Sequence, residues 1–102
     1  MFKMIAIYKT PADVNAFADW YKGHTELMKK VPLVKEVRMN KITGTPRGAS
    51  DLHLMVEVCF ATKDDFKTAM SSPENMACGK DAFSNYKDIV SIQFAEEEVM
   101  KF

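Results

Sequence analysis

Three observations predict an α+β fold in the order β-α-β-β-α-β. Residues 52–60 alternate strictly, with Leu52, Leu54, Val56, Val58 and Phe60 on one side and His53, Met55, Glu57 and Cys59 on the other, which is the period of a strand. Phe17, Trp20, Tyr21, His24, Leu27, Met28 and Val31 recur at three- and four-residue steps, which is the period of an amphipathic helix. Ser72-Pro73-Glu74 joins a capping serine, a proline at the first helical position and an acid at the positive helix end, and so starts a second helical region.

The remaining elements fall between these anchors. Lys3 to Lys9 alternates loosely and is rich in Ile and Tyr, which suits a first strand that Thr10-Pro11 stops. Asp13 caps the long helix by accepting from its first free amides, and Pro32 ends it. Val34 to Ile42 reads as the second strand, followed by a turn-rich loop over residues 43–48. Thr62, with Asp65 three positions on, is an imperfect capping box for a short helix that turns Phe66, Ala69 and Met70 inward. The helix after Ser72 carries Met76, Ala77 and Phe83, and a last strand, Ile89 to Ala95, precedes an acidic tail. This order is the ferredoxin-like split βαβ arrangement. Right-handed crossovers put both helical regions on one face of a four-stranded sheet. The other face is then bare. The third and fourth strands have apolar or semi-apolar residues on both sides, and a bare apolar face of that size exceeds what soluble monomers tolerate. A homodimer through the open sheet face is therefore expected.

Composition bounds the partners. The 102 residues suffice for a single domain, 1–102, and the 47% apolar content supports a packed core instead of disorder. The formal net charge is zero and no basic block occurs, which argues against nucleic acid and anionic membrane. Apolar runs are far shorter than the roughly 20 residues a bilayer span needs. The first residues run straight into a strand pattern with no cleavable signal, and Cys59 and Cys78 form no staple framework, so a cytoplasmic setting is expected. The two cysteines and two histidines lack structural-zinc spacing, the four glycines are dispersed, and no Gly-x-Ser-x-Gly elbow exists.

The ordered residues resemble a family. Tyr8-Lys9 then Pro11, followed by Phe17, Tyr21 and His24, resembles the opening of EthD-type proteins, in which a strand ending in Tyr-Lys leads into a helix with an aromatic and a histidine about three residues apart. Gly44-Thr45-Pro46 with Gly48, His53, Ser72-Pro73-Glu74, and Asp81 followed by Asn85-Tyr86 fall where similar motifs sit, so the likeness runs from Lys3 to Phe94. The resemblance implies a dimeric α+β barrel, of a kind often encoded beside oxidative degradation or polyketide tailoring genes. Its members and relatives include a protein needed for ethyl tert-butyl ether breakdown, decarboxylases, dehydratases, muconolactone isomerases and cofactor-free monooxygenases. Related barrels also bind haem, which would need an axial histidine such as His24.

The candidate chemistry centres on His24. It lies on the apolar stripe of the long helix and so faces the sheet, and histidine is the side chain that ordinarily titrates nearest neutral pH, suited to carrying a proton. The plain alternative is a core histidine with its hydrogen bonds satisfied internally. Glu57, in mid-strand, needs a partner if shielded from water. If the side bearing His53, Glu57 and Cys59 looks towards the helices, Glu57 can hydrogen-bond His24; if it looks away, that pair is impossible. A dry seam between two sheets is the better place for five apolar residues, which favours the first placement. Otherwise Glu57 forms a cross-strand ion pair with Arg38 or Lys41. Tyr8, at the mouth of a helix–sheet cleft, can orient a carbonyl, with Trp20, Tyr21, His53 and Met55 as ligand-binding candidates. These aromatics serve equally as core, and Cys59 reads as a buried filler. The expected function is proton-transfer chemistry without a cofactor or metal (decarboxylation, dehydration, isomerisation or oxygenation) on a small cyclic or aromatic compound. The rival is a non-catalytic metabolite-binding or accessory protein.

Overall fold

A computed structural model describes all 102 residues. The chain runs β1 (Phe2–Lys9), α1 (Val14–Met28), β2 (Glu36–Lys41), β3 (Leu52–Phe60), α2 (Lys63–Met70), α3 (Pro73–Tyr86) and β4 (Val90–Glu96). All strand pairs are antiparallel, in the order β2-β3-β1-β4. This is the ferredoxin-like fold, and its two layers make a slab 19 Å thick with one sheet face uncovered.

The caps lie where side-chain chemistry requires them. Asp13 accepts from the Ala16 amide, Thr62 from Asp65 and Ser72 from Asn75, each satisfying a first-turn donor that has no intrahelical partner. Two boundaries differ from expectation. Helix α1 ends at Met28, before Pro32, and β2 begins at Glu36, not Val34. Between them Leu33 takes φ +66°, a left-handed turn that delays the strand.

The core fixes which way the sheet faces. Leu54, Val56, Val58 and Phe60 are buried in one cluster with Phe17 and Tyr21 of α1, Phe66 and Ala69 of α2, and Cys78 of α3. The apolar side of β3 therefore packs against the helices, joined from β1 by Ala6 and Tyr8. This corrects the favoured placement: Glu57 and Met55 look away from the helices, and Glu57 cannot reach His24. The physical reason is that the helices' own aromatic stripe demands the larger apolar surface, and a helix layer covers more of it than a bare face can.

Nor is the open face uniformly apolar. Lys3 lies between two carboxylates, 2.7 Å from Glu57 Oε1 and 2.7 Å from Glu97 Oε2. Arg38 donates to Glu97 at 3.2 Å and Glu36 at 3.0 Å, and Asn40 donates to Glu57 at 3.0 Å. Arg38 stands directly across from Glu57 in register, yet Glu57 takes Lys3 as its ion-pair partner. Ile5, Ile7 and Met55 form a half-buried apolar patch beside this cluster.

Two outcomes follow. Phe60, fully buried, should cost about 3–5 kcal/mol of stability as Phe60→Ala, read by chemical denaturation. The Lys3 ammonium holds the Glu57 and Glu97 carboxylates below their ordinary range, and they hold Lys3 above its own. A lowered carboxylate stabilises fully above its unfolded value and loses that contribution as pH falls through the folded one. A raised lysine stabilises below its unfolded value and loses its contribution as pH rises through the folded one. Urea titrations at a series of pH values should therefore give a plateau between these limits, and Glu57→Gln should make the acid-side fall shallower.

Candidate active site

Every second residue of the strands turns towards the helices, and there the two layers leave a cavity of about 170 Å³. Met4, Ala6 and Tyr8 of β1, Val56 and Val58 of β3, and Ile92 and Phe94 of β4 form the sheet wall. Tyr21, His24 and Met28 of α1 and Asn75, Cys78, Gly79, Ala82 and Phe83 of α3 form the helix wall. Fourteen of the seventeen lining residues are apolar, so each polar group there lies in a poorly hydrated setting.

His24 is 6% exposed and contributes to this wall. Its Nδ1 lies 2.9 Å from Asp81 Oδ2, across the seam where α1 runs beside α3. A carboxylate only accepts, so Nδ1 carries the hydrogen and donates it, which leaves Nε2 as the basic nitrogen. Asn85 steadies the same carboxylate, donating to Asp81 Oδ1 at 3.3 Å and to its carbonyl at 2.8 Å. Trp20 stacks on the imidazole with centroids 4.7 Å apart and planes 23° apart. The Trp20 indole N–H is buried without an acceptor.

Two hydroxyls reach the cavity. That of Tyr21 donates to the Met28 sulfur at 3.7 Å. That of Tyr8 has no partner in the protein, although Tyr8 is 1% exposed. Burial above all, and then the Asp81 charge, push the Tyr8 phenol far above its ordinary value. It is thus a neutral donor at any physiological pH, free to bond an incoming oxygen. Burial also raises the Cys78 thiol, and Cys59 is raised on the open side of the sheet, so neither is poised as a thiolate.

The fold brings together His24, Tyr8 and Tyr21 among the residues expected from sequence. Trp20 does not line the cavity; it backs the imidazole. Glu57 and Met55 lie on the opposite sheet face. His53 parts from them through a bulge: Tyr8 pairs with Leu54 but Lys9 with Leu52, leaving His53 unmatched. Its ring sits 5.5 Å from that of Phe17, in a separate groove between α1 and β2. Sequence reading missed Asp81 as the partner of His24. The available signal was a carboxylate three residues after Cys78 and beside Ala82, on the buried side of α3. No three His, Cys, Asp or Glu side chains converge closely enough to hold a metal ion, and no helix is long and apolar enough to cross a membrane.

Comparison with known proteins assigns the chain's kinship. Its similarity to an EthD family protein of Bacillus halodurans C-125 is 31% identity over 96% of this chain and 99% of that one, with a TM-score of 0.91. An uncharacterized 11.0 kDa protein in the thcB-thcC intergenic region of Rhodococcus erythropolis is 25% identical over 101 residues, 98% of each chain. A dimeric protein of unknown function and ferredoxin-like fold from Bacteroides fragilis NCTC 9343 shares the fold, with a TM-score of 0.64 at 18% identity over 94% of this chain and 95% of that one. The EthD domain model matches residues 9–89, from β1's last residue to the residue before β4 and including both halves of the His24–Asp81 pair, and the chain belongs to the EthD domain family.

Proposed function

We propose that this protein carries out cofactor-independent proton transfer on a small cyclic or aromatic compound held in the cavity between helices and sheet. The observation that carries the reading is the buried His24–Asp81 pair in an apolar wall that also holds the uncommitted Tyr8 hydroxyl. A cavity of about 170 Å³ suits one ring, since an apolar cavity of about 150 Å³ accepts benzene. His24 Nε2 takes a proton from carbon next to a carbonyl, and the Nδ1–H to Asp81 bond stabilises the imidazolium so formed. Tyr8 donates to the carbonyl oxygen as it gains charge, in a setting where such a bond is worth more than in water. Returning the proton at another position gives isomerisation; passing it to a hydroxyl that leaves from the next carbon gives dehydration; and where carbon dioxide leaves in place of the proton, a protonated His24 gives its proton to the enolate carbon, completing decarboxylation. Asp81 takes the orienting role expected of Glu57.

A second reading is a metabolite-binding or accessory protein of an oxidative degradation pathway. It draws on the scarcity of polar groups in the wall. We further propose a homodimer through the open sheet face, supported by the uncovered patch of Ile5, Ile7 and Met55 and by the dimeric neighbour of the same fold. The two cysteines are unpaired, which suits a reducing cytoplasm.

The chemistry is testable with a cyclic ketone in D₂O. The protein should speed deuterium uptake next to the carbonyl, and His24→Ala should lower that rate by at least about 100-fold. Asp81→Asn should lower it less and move its pH profile, and Tyr8→Phe should weaken binding, seen as quenching of the lone tryptophan, Trp20. Saturable quenching with no exchange would favour the binding-only reading. Light scattering at micromolar concentration should give twice the 11.6 kDa chain mass, and a single-chain mass would remove the dimer.

A further inference from the structure

Asn75 is an amide in the cavity wall that the proton-transfer scheme leaves unused. It is half-buried in the first turn of α3, and its neighbours set its orientation. Its Nδ2 donates to the Met70 carbonyl at 3.2 Å and to the Met70 sulfur at 3.7 Å. A carbonyl oxygen only accepts, so the NH₂ group faces Met70 and cannot change places with the oxygen. Both amide hydrogens are thereby committed, and Oδ1 has no partner in the protein. That oxygen accepts and never donates. The turn that carries it is held as well: the Ser72 hydroxyl donates to the Ala69 carbonyl at 2.6 Å and accepts from the Asn75 amide at 3.1 Å.

This acceptor stands at the opposite end of the cavity from His24. Helix α2 ends at Met70, and its Phe66 packs on Phe2 and Phe94 with ring centroids 5.5 and 5.0 Å away. Phe94 is level with Met4 on β1. Further along α3, Asp81 meets His24 and Tyr86 meets Trp20, whose ring lies 6.2 Å from that of Tyr8. Six residues of helix separate Asn75 from Asp81, about 9 Å along the axis. The Tyr8 end thus offers a hydroxyl donor and the Asn75 end an acceptor, with an apolar wall between them.

We propose that Asn75 is a specificity-determining residue, whose Oδ1 accepts from a hydroxyl on the far side of the ring from the carbonyl that Tyr8 holds. The substrate class is then a hydroxylated cyclic ketone, anchored at both ends. An unsubstituted ring would leave Oδ1 unpaired against apolar atoms, and a second carbonyl would set acceptor against acceptor, so both are selected against. The inference rests on the pose proposed above and adds a second anchor to it.

The test compares 4-hydroxycyclohexanone, cyclohexanone and 1,4-cyclohexanedione by isothermal titration calorimetry on the full chain. The hydroxy ketone should bind about tenfold more tightly than either of the others. Asn75→Leu should bring the three to equal affinity, with Asn75→Ala as the second variant should the first not fold. Tyr8→Phe should weaken all three and keep the tenfold ratio. Equal affinities in the native chain, or a ratio that survives loss of the amide, would overturn the inference. Deuterium uptake by all three ketones at equal affinity would do so and leave the proton-transfer reading intact. The tenfold ratio without uptake would keep Asn75 in this role and remove the chemistry, and no binding of any ketone would overturn both.

Discussion

The packing of β3 on the helices decides the rest of the molecule. Its period of two divides nine residues into an apolar set and a mixed set, and only one can meet α1, α2 and α3. Because Leu54, Val56, Val58 and Phe60 go inward, the helix–sheet gap is dry. Because Glu57 and Cys59 then go outward, the sheet's charged residues collect on the uncovered face, where Lys3 can stand between two carboxylates. A lysine 6% exposed would be costly alone. Two carboxylates and a shared arginine make it tolerable there, and in the helix-side core nothing would.

That dryness gives the His24 pair its chemical character. In water an imidazole–carboxylate contact would be screened and loosely held. Here α1 and α3 hold the two groups from rigid helices, Asn85 holds the carboxylate, and Trp20 holds the ring flat. Orientation comes from secondary structure, not from loops, so little freedom remains to be lost when a ligand arrives. Tyr8 complements the pair from the sheet. It is too buried to ionise and has no internal partner, so its bonding capacity is left for whatever enters.

Much of this fold was legible because local chemistry sets it. Asp13, Thr62 and Ser72 cap helices through bonds to amides three residues away, and the β3 limits follow from alternation alone. The site was legible in part. The helical stripe identifies His24 and Tyr21 as inward, and the strand end identifies Tyr8. Periodicity tells which residues share a face but not which face is covered, and the placement of Glu57 turned on that. Counting a five-residue apolar set as interface left out the stripe from Phe17 to Met28 of α1 that also needed cover. His53 was misplaced because a bulge breaks the period without a glycine to mark it. Asp81 escaped because its partner lies 57 residues away, a separation across which no local rule operates.

Strand β1 joins the two sides of the slab. Met4, Ala6 and Tyr8 line the cavity while Lys3, Ile5 and Ile7 stand on the open face, so consecutive residues of one strand belong to the cavity wall and to the uncovered face in turn. A layer only one sheet thick has no room to decouple them. Each Cα of β1 is fixed by ladders to β3 on one side and β4 on the other. Covering Ile5 and Ile7 would restrain the strand that carries Tyr8, and so stiffen the cavity wall from the face that contributes no group to it. In the proposed homodimer the His24–Asp81 pair and Tyr8 would come from a single chain while the second chain steadied the strand that carries Tyr8.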